Sequence, residues 1–252
     1  MRRNVRVLAL AALVTLASCG RLGFEASRSD APPDDSAGDA ADVEDALMLW
    51  IPLDGTVGNR GSVQSVVACD PTCPATVAGK RVAAGGFDGA TTAIRIADRP
   101  ELHASVGTVA MWIRPTVLPS LGEARSIAGA ATGNASLNSW EVYFYDNSGT
   151  LELITGGDAA GGPQLHFPWT LGTGTWFHVA ATWDGTTQHM YLDGAQVVTG
   201  PQFAIEYTGH DVLIGADETP GGLTHYFDGD IDDVRFYSRA LSPSEISLLA
   251  AP

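Results

Sequence analysis

The sequence predicts an all-β fold, a two-sheet antiparallel β-sandwich that ends in one short helix. Charged residues make up only 17% of the 252 residues, while Gly and Pro number 29 and 14, which is typical of short strands and turns rather than a helical bundle. No run of helical length is evident in the folded part before its C-terminal end. Strand-like runs recur between Gly and Asn/Asp punctuation. They span residues 47–52, 93–96, 106–114, 126–130, 140–145, 151–154, 176–183, 189–192, 212–214 and 226–237.

Two local signals fix the ends of these elements. Asp193 and Gly194 separate two strand-like runs, and both residue types tolerate the positive φ of a type I′ hairpin turn. Ser242, Pro243 and Glu245 form the pattern of a capping hydroxyl, a first-turn proline and a reciprocal carboxylate, which predicts the start of a short C-terminal helix.

The first 18 residues read as a signal peptide, with a basic start followed by an apolar stretch. The segment ending at Cys19 resembles the lipobox of bacterial lipoproteins, which implies cleavage before Cys19, lipidation of that residue and anchoring to the cell envelope. Gly20 follows, and the absence of Asp at this position favours the outer membrane. The alternative is an ordinary secretory signal that happens to contain a cysteine.

Residues 19–46 are predicted to be an acidic disordered tether, because Asp and Glu alternate there with Ala, Ser, Gly and Pro and too few apolar groups exist to offset the ordering entropy. Residues 47–252 form the predicted folded domain. The net charge of −15 argues against nucleic acid as a partner, because phosphates repel an acidic surface.

Cys69 and Cys73 are predicted to form a disulfide bond, since an exported protein folds in an oxidising compartment. A zinc site is the alternative. Two cysteines at this spacing supply only half of a four-ligand site, and no further Cys or His lies nearby in sequence to complete it.

Several segments together carry a family resemblance. The pieces are WFHVAATWDG (176–185), MYLDG (190–194), FDGDIDDVRFYSRALS (227–242), and the shorter 49–55, 86–89 and 109–115. They resemble the laminin-G-like jellyroll family of the concanavalin A-like lectin/glucanase superfamily. The resemblance covers nearly all of residues 47–249 and implies a concanavalin A-like jellyroll, a fold that hosts more than one function.

Acidic residues near the C-terminal end raise the question of calcium. Asp228, Asp230 and Asp232 alternate, so on a strand they share one face, and carboxylates suit calcium as a hard cation. The resemblance implies one structural calcium ion, with Asp232 as the leading ligand and Asp54 and Asp88 as helpers. The alternative for the first two aspartates is ordinary turn chemistry.

No catalytic residues are predicted. The glucanases of the superfamily commonly present Glu-x-Asp-x-Glu on one strand, and a retaining glycosidase needs two carboxyl groups close together. The acidic run at 228–232 contains no Glu, and Glu141 has no acidic residue two or four positions later.

A candidate ligand surface lies on the run 140–145. Glu141, Tyr143 and Tyr145 alternate with apolar residues, so they share the face opposite the core and could stack on and bond to a sugar. Trp169 and His166, in a Gly-rich stretch, are further rim candidates. The alternative is a strand covered on both sides.

Taken together, the sequence predicts a non-catalytic binding or adhesion module on an exported, lipid-anchored protein, with a glycan or a cell-surface protein as its partner. Two alternatives stay open. One is a glycoside hydrolase with an atypical carboxylate pair, and the other is a purely structural envelope protein.

Overall fold

The computed structural model describes residues 43–130, 139–145, 150–155, 165–207 and 209–252. The predicted signal peptide, the lipidation site Cys19 and all but the last four residues of the predicted tether lie outside these ranges. Part of the Gly-rich stretch that follows the strand at 150–155 does so as well.

The described chain forms two large antiparallel sheets, as predicted. The eight-stranded sheet contains β1 (Leu47–Ile51), β3 (Ala75–Ala78), β4 (Ala83–Asp88), β6 (Gly107–Pro115), β11 (Phe177–Trp183), β12 (Thr187–Leu192), β13 (Ala195–Pro201) and β17 (Asp228–Tyr237). The seven-stranded sheet contains β2 (Val67–Cys69), β5 (Ile94–Ile96), β7 (Ala124–Ala130), β8 (Trp140–Tyr145), β9 (Thr150–Thr155), β10 (Leu165–Pro168) and β14 (Val212–Ile214). A separate hairpin joins β15 (Asp217–Thr219) to β16 (Gly222–Thr224).

Strand order brings distant parts of the sequence together. The first sheet runs β13-β12-β11-β6-β17-β4-β3, with β1 also paired to β17, and the second runs β10-β9-β8-β7-β14-β5-β2. Apolar side chains on the inner faces of both sheets form one core. At its centre Trp140 of the second sheet packs on Trp183 and Phe236 of the first, with ring centroids 5.9 and 5.1 Å away. This two-layer packing confirms the predicted sandwich.

The predicted hairpin turn is confirmed between β12 and β13. Asp193 and Gly194 have φ values of 48° and 82°, the positive pair that a type I′ turn requires. The Asp193 side chain also accepts a hydrogen bond from the backbone N–H of His178 at 2.8 Å, which ties the turn to β11.

The predicted C-terminal helix is confirmed as α1 (Pro243–Leu249), with a complete capping box between Ser242 and Glu245. Arg239 pairs with the Glu245 carboxylate and lowers the pKa of Glu245 to about 2. The helix covers the outer face of the eight-stranded sheet over a second apolar cluster. No helix in the described ranges combines the length and apolar character needed to cross a membrane.

The predicted disulfide bond joins Cys69 and Cys73. Cys69 ends β2 at the edge of one sheet, and Cys73 lies just before β3 at the edge of the other, so the bond closes a loop that passes between the two sheets. Both sulfurs are used, which removes them as zinc ligands. A cavity of about 360 Å³ lies behind this loop.

We expect the double variant Cys69→Ser, Cys73→Ser to lose about 2 kcal/mol of unfolding free energy, because the disulfide restricts the unfolded chain. The loss is at the low end of the usual range because the loop that the bond closes is short. Urea denaturation followed by tryptophan fluorescence measures the loss, and the parent protein in reductant should match the variant. Identical midpoints for oxidised and reduced parent protein would contradict a stabilising bond.

Candidate functional site

The two faces of β8 differ as the alternation of its residues predicts. Trp140, Val142 and Phe144 lie in the core, whereas Glu141, Tyr143 and Tyr145 lie on the outer face of the seven-stranded sheet. Glu141 and Tyr143 are only 6% and 7% exposed, and Tyr145 is 36% exposed. The strand is therefore covered on both sides for most of its length, and of the three outer residues Tyr145 is the one whose ring meets solvent.

Glu152 on β9 organises this surface. It lies opposite Tyr143 in the antiparallel register, and its Oε2 accepts a hydrogen bond from the Tyr143 hydroxyl at 2.5 Å. Its Oε1 accepts one from Thr150 at 3.1 Å and contacts His166 Nδ1 at 2.7 Å. Glu152 is buried, whereas the His166 side chain is 53% exposed, so a buried carboxylate orients a surface imidazole.

A similar pair lies on the β15–β16 hairpin. Asp217 is buried, and its Oδ2 lies 3.4 Å from Nδ1 of His225, whose side chain is 40% exposed. His225 has a φ of 51°, a left-handed conformation that is costly for a residue with a Cβ. Its carbonyl accepts a hydrogen bond from the Ser126 N–H at 2.8 Å, which attaches the hairpin to β7.

Glu141 lies close enough to both pairs for their carboxyl groups to affect its pKa. Burial raises its pKa to about 8, nearby Asp217 and Glu152 act in the same direction, and the side chain of Ser126 acts against them. Burial and Glu152 also raise the pKa of Tyr143. Glu141 therefore keeps a proton at neutral pH, where an ordinary glutamate is ionised.

A cleft of about 360 Å³ adjoins this surface. Ala124, which pairs with Tyr145 across β7 and β8, lines the cleft together with Arg125, His225 and Tyr226. The Arg125 guanidinium donates from Nη1 to the Tyr226 carbonyl at 2.9 Å. We use "polar face" for Glu141, Tyr143, Tyr145, Glu152, His166, Asp217 and His225; the cleft lies at its Tyr145 and His225 end.

The position of Trp169 corrects the prediction that it is a rim residue. Its ring is buried in the core, edge-on to Phe144 and Phe177 with both centroid distances at 4.9 Å. Its Nε1 donates to the Gly172 carbonyl at 2.8 Å. The local loop thus satisfies the polar atom of Trp169, and the residue is only 5% exposed.

The aspartates predicted to bind calcium do not converge on one point. Asp232 is buried, and its Oδ2 accepts the backbone N–H groups of Lys80 and Arg81 at 2.8 and 2.9 Å. Burial raises the pKa of Asp232, and Asp54 is close enough to add to this effect. Asp88 instead pairs in register with Asp228, four residues away along β17.

The oxygens of Asp54 and Asp88 also have protein partners. Asp54 accepts the N–H of Ala83 at 3.2 Å, and Asp88 Oδ1 accepts three backbone N–H groups from the turn at 90–92. This turn, led by Thr91, lowers the pKa of Asp88. Within the described ranges, no group of three or more His, Cys, Asp or Glu is arranged to hold a metal ion, so the predicted ligand set does not fit and calcium stays a prediction.

Sequence reasoning missed Glu152, Asp217 and His225. Glu152 had a usable signal, because it alternates with apolar neighbours on a strand-like run and so must face outward. Asp217 and His225 had none, since a short separate hairpin places them beside β7. The carboxyl groups of Glu141, Glu152 and Asp217 are the kind of group that an acid–base enzyme needs. All three are buried, however, and Glu152 already accepts three hydrogen bonds.

A laminin G family model, described as the concanavalin A-like lectin/glucanases superfamily, matches residues 88–247. No curated protein sequence matches the chain.

Several solved structures share the fold. Domain 4 of AbnA, a GH43 extracellular arabinanase from Geobacillus stearothermophilus solved with arabinotriose, is 20% identical, with a TM-score of 0.63 over 82% of this chain and 98% of that one. The binding domain of botulinum neurotoxin DC, in complex with SialylT, is 13% identical, with a TM-score of 0.65 over 82% of this chain and 52% of that one. The binding domain of Paraclostridial Mosquitocidal Protein 1 is 15% identical, with a TM-score of 0.64 and the same coverage. The chain thus spans nearly all of the arabinanase domain but about half of each toxin domain.

Proposed function

Because the chain belongs to the concanavalin A-like lectin/glucanases superfamily, we propose that it is a non-catalytic glycan-binding module and that the polar face is its binding surface. The observation that carries this proposal is the combination of an exposed aromatic ring, Tyr145, with the oriented imidazole of His166 on one sheet face. Aromatic rings stack on sugar rings, and oriented polar groups beside them bond to the hydroxyls.

The buried layer beneath these groups supports a binding role. Glu152 holds His166 and Tyr143 at distances of 2.7 and 2.5 Å, so these side chains need little ordering when a ligand arrives. A preorganised surface loses less entropy on binding. The cleft beside Tyr145 offers room for a further sugar unit.

The structural neighbours favour the same class of ligand. The arabinanase domain was solved with arabinotriose, and cell entry of botulinum neurotoxin type C, another structural neighbour, depends on interaction with two ganglioside molecules. At identities of 13–20% the likeness is one of fold, so the ligand class enters here as part of the proposal.

Glycan hydrolysis is the second candidate, favoured by the protonated Glu141 close to Glu152 and Asp217. A general acid with a raised pKa beside an ionised carboxylate is what a glycosidase uses. The burial of all three groups argues for binding, because a glycosidic oxygen must reach the acid. Release of reducing ends from a bound oligosaccharide would support hydrolysis instead.

We also propose that the module is exported and held at the cell envelope through lipidated Cys19 and the acidic segment 19–46. A tether of this length and charge extends away from a surface, which would let the domain reach a glycan or a protein on a neighbouring surface. If the protein binds no ligand, the alternative is a purely structural role in the envelope.

The test is a glycan array probed with the full chain, in calcium and again in chelator, followed by titration of the best ligand. We expect Tyr145→Ala and His166→Ala each to weaken affinity about tenfold, the worth of one stacked ring or one oriented hydrogen bond. The matched control is Trp176→Ala, since Trp176 is a half-buried aromatic that packs on Arg114, 4.9 Å away, at the other sheet.

Binding to no glycan would overturn the proposal. Binding that Trp176→Ala weakens and Tyr145→Ala leaves unchanged would overturn the choice of surface. A difference between calcium and chelator would support the predicted calcium ion.

A further inference from the structure

Resting on the proposed function, we propose that the polar face selects uncharged glycans and rejects acidic sugars such as sialic or uronic acids. Recognition of a carboxylate sugar requires a cation with donors to spare, above all Arg. On the described strands of the seven-stranded sheet, no Lys or Arg that points to the polar face has donors to spare.

The first cation on this sheet is Arg95 of β5, and carboxylates saturate it. Its guanidinium lies 2.7 Å from Asp70, 3.2 Å from Asp211 and 2.9 Å from Glu218. The three partners raise the pKa of Arg95 and leave the group with a net negative charge. An incoming carboxylate would have to displace one of them.

The second cation is Arg125 of β7, which lines the cleft but lies opposite the core residue Phe144 in the strand register, so its side chain is on the core side of the sheet and not on the polar face. Its Nη1 donates to the Tyr226 carbonyl, its Nε is buried without a hydrogen-bond partner, and the exposed Glu123 lines the same cleft. The other described strands of this sheet, β2, β8, β9, β10 and β14, carry neither Lys nor Arg. Beneath the surface lie Glu152 and Asp217, so the local field repels anions.

The histidines add a chemical reason to the electrostatic one. In the tautomer in which Nδ1–H of His166 donates to Glu152, Nε2 is a hydrogen-bond acceptor. His225 Nδ1 lies 3.4 Å from Asp217 Oδ2 in a similar arrangement. Acceptors bind sugar hydroxyls, which can donate, and they oppose carboxylates, which cannot.

Cations are instead gathered on the outer face of the other sheet. Arg60 and Arg235 lie over the ring of Trp50 at 5.4 and 4.9 Å, and Lys80 lies over Trp112 at 4.4 Å. These cations lie on the opposite side of the sandwich from the polar face and do not compensate its negative charge.

The experiment compares matched ligand pairs by calorimetry with the full chain at pH 7.5, in about 20 mM and about 300 mM salt. The pairs are lactose with sialyllactose, and arabinotriose with a galacturonic acid trimer, extended to the array's best uncharged ligand and its acidic derivative. We expect the uncharged member of any recognised pair to bind at least about tenfold more tightly, with the gap narrowing as salt screens the repulsion.

A histidine pair of variants tests the acceptor. His166→Gln keeps a polar group near the position of Nε2 and should retain more affinity for the uncharged ligand than His166→Ala, which removes it. Equal losses of affinity in the two variants would show that Nε2 of His166 does not contact the ligand.

The outcomes separate the two proposals. Equal or tighter binding of the acidic member, sensitive to His166→Ala, overturns charge selection and keeps glycan binding. Binding of neither member across the whole panel overturns the proposed function itself. Binding of the uncharged member alone, sensitive to His166→Ala, supports both.

Discussion

Replacement of Trp183 by alanine is expected to lower the free energy of unfolding by about 3–5 kcal/mol, the usual cost of removing a large aromatic ring from a closed core. Trp183 is fully buried and packs on Trp140 and Phe236 at centroid distances of 5.9 and 6.0 Å. Its neighbour Gly107 lies so close that a Cβ there would be 2.7 Å from the Trp183 ring. Backbone on one side and aromatic rings on the other leave little that can move into the void.

Thermal and urea unfolding measure this loss, with Leu121→Ala as the control because Leu121 is 83% exposed. Trp183→Phe should fall between the two, since it retains part of the ring contact but loses the Nε1 hydrogen bond to the Ala104 carbonyl. A Trp183→Ala variant as stable as Leu121→Ala would show that the two sheets do not share the packed core described above.

The second large effect concerns pH. Glu141 has a pKa of about 8 in the folded protein against an ordinary value near 4.5, so between these limits the unfolded chain releases a proton that the folded chain keeps. Stability due to this group is therefore full below about pH 4.5 and falls as the pH rises towards 8. Glu141→Gln cannot ionise and should escape the loss, gaining about 4 kcal/mol over the parent at pH 7.5.

The measurement is the unfolding free energy of parent and variant from pH 4.5 to 9. The two curves should nearly meet at the acid end and separate as the pH rises. Glu101→Gln, at an exposed position, is the control and should follow the parent throughout. Parallel curves for the parent and Glu141→Gln would mean that the Glu141 carboxyl is not desolvated by its surroundings.

Much of the architecture follows from the sequence by itself. The alternation in β8, the Asp193-Gly194 turn and the Ser242 capping box all act over a few residues, through strand geometry, left-handed backbone and orphan N–H groups. These local patterns can therefore be recognised in the sequence without knowing which residues pack against them in the fold. Of the strands that the sequence missed, β3, β10 and β15 are short, and β3 and β10 also lie at sheet edges, where no apolar period is required.

The tertiary structure alone decided which side chains meet. Trp169 lies in the core because Phe144 and Phe177 form an apolar slot there. The three predicted calcium ligands instead accept hydrogen bonds from separate backbone N–H groups; they are Asp54, Asp88 and Asp232. Glu141 and Asp217 lie 76 positions apart, and strand pairing through β7 brings them within electrostatic reach. A sequence pattern reports the face on which a residue lies, but the charge, burial and tautomer of a site depend on what the sheet places opposite that face.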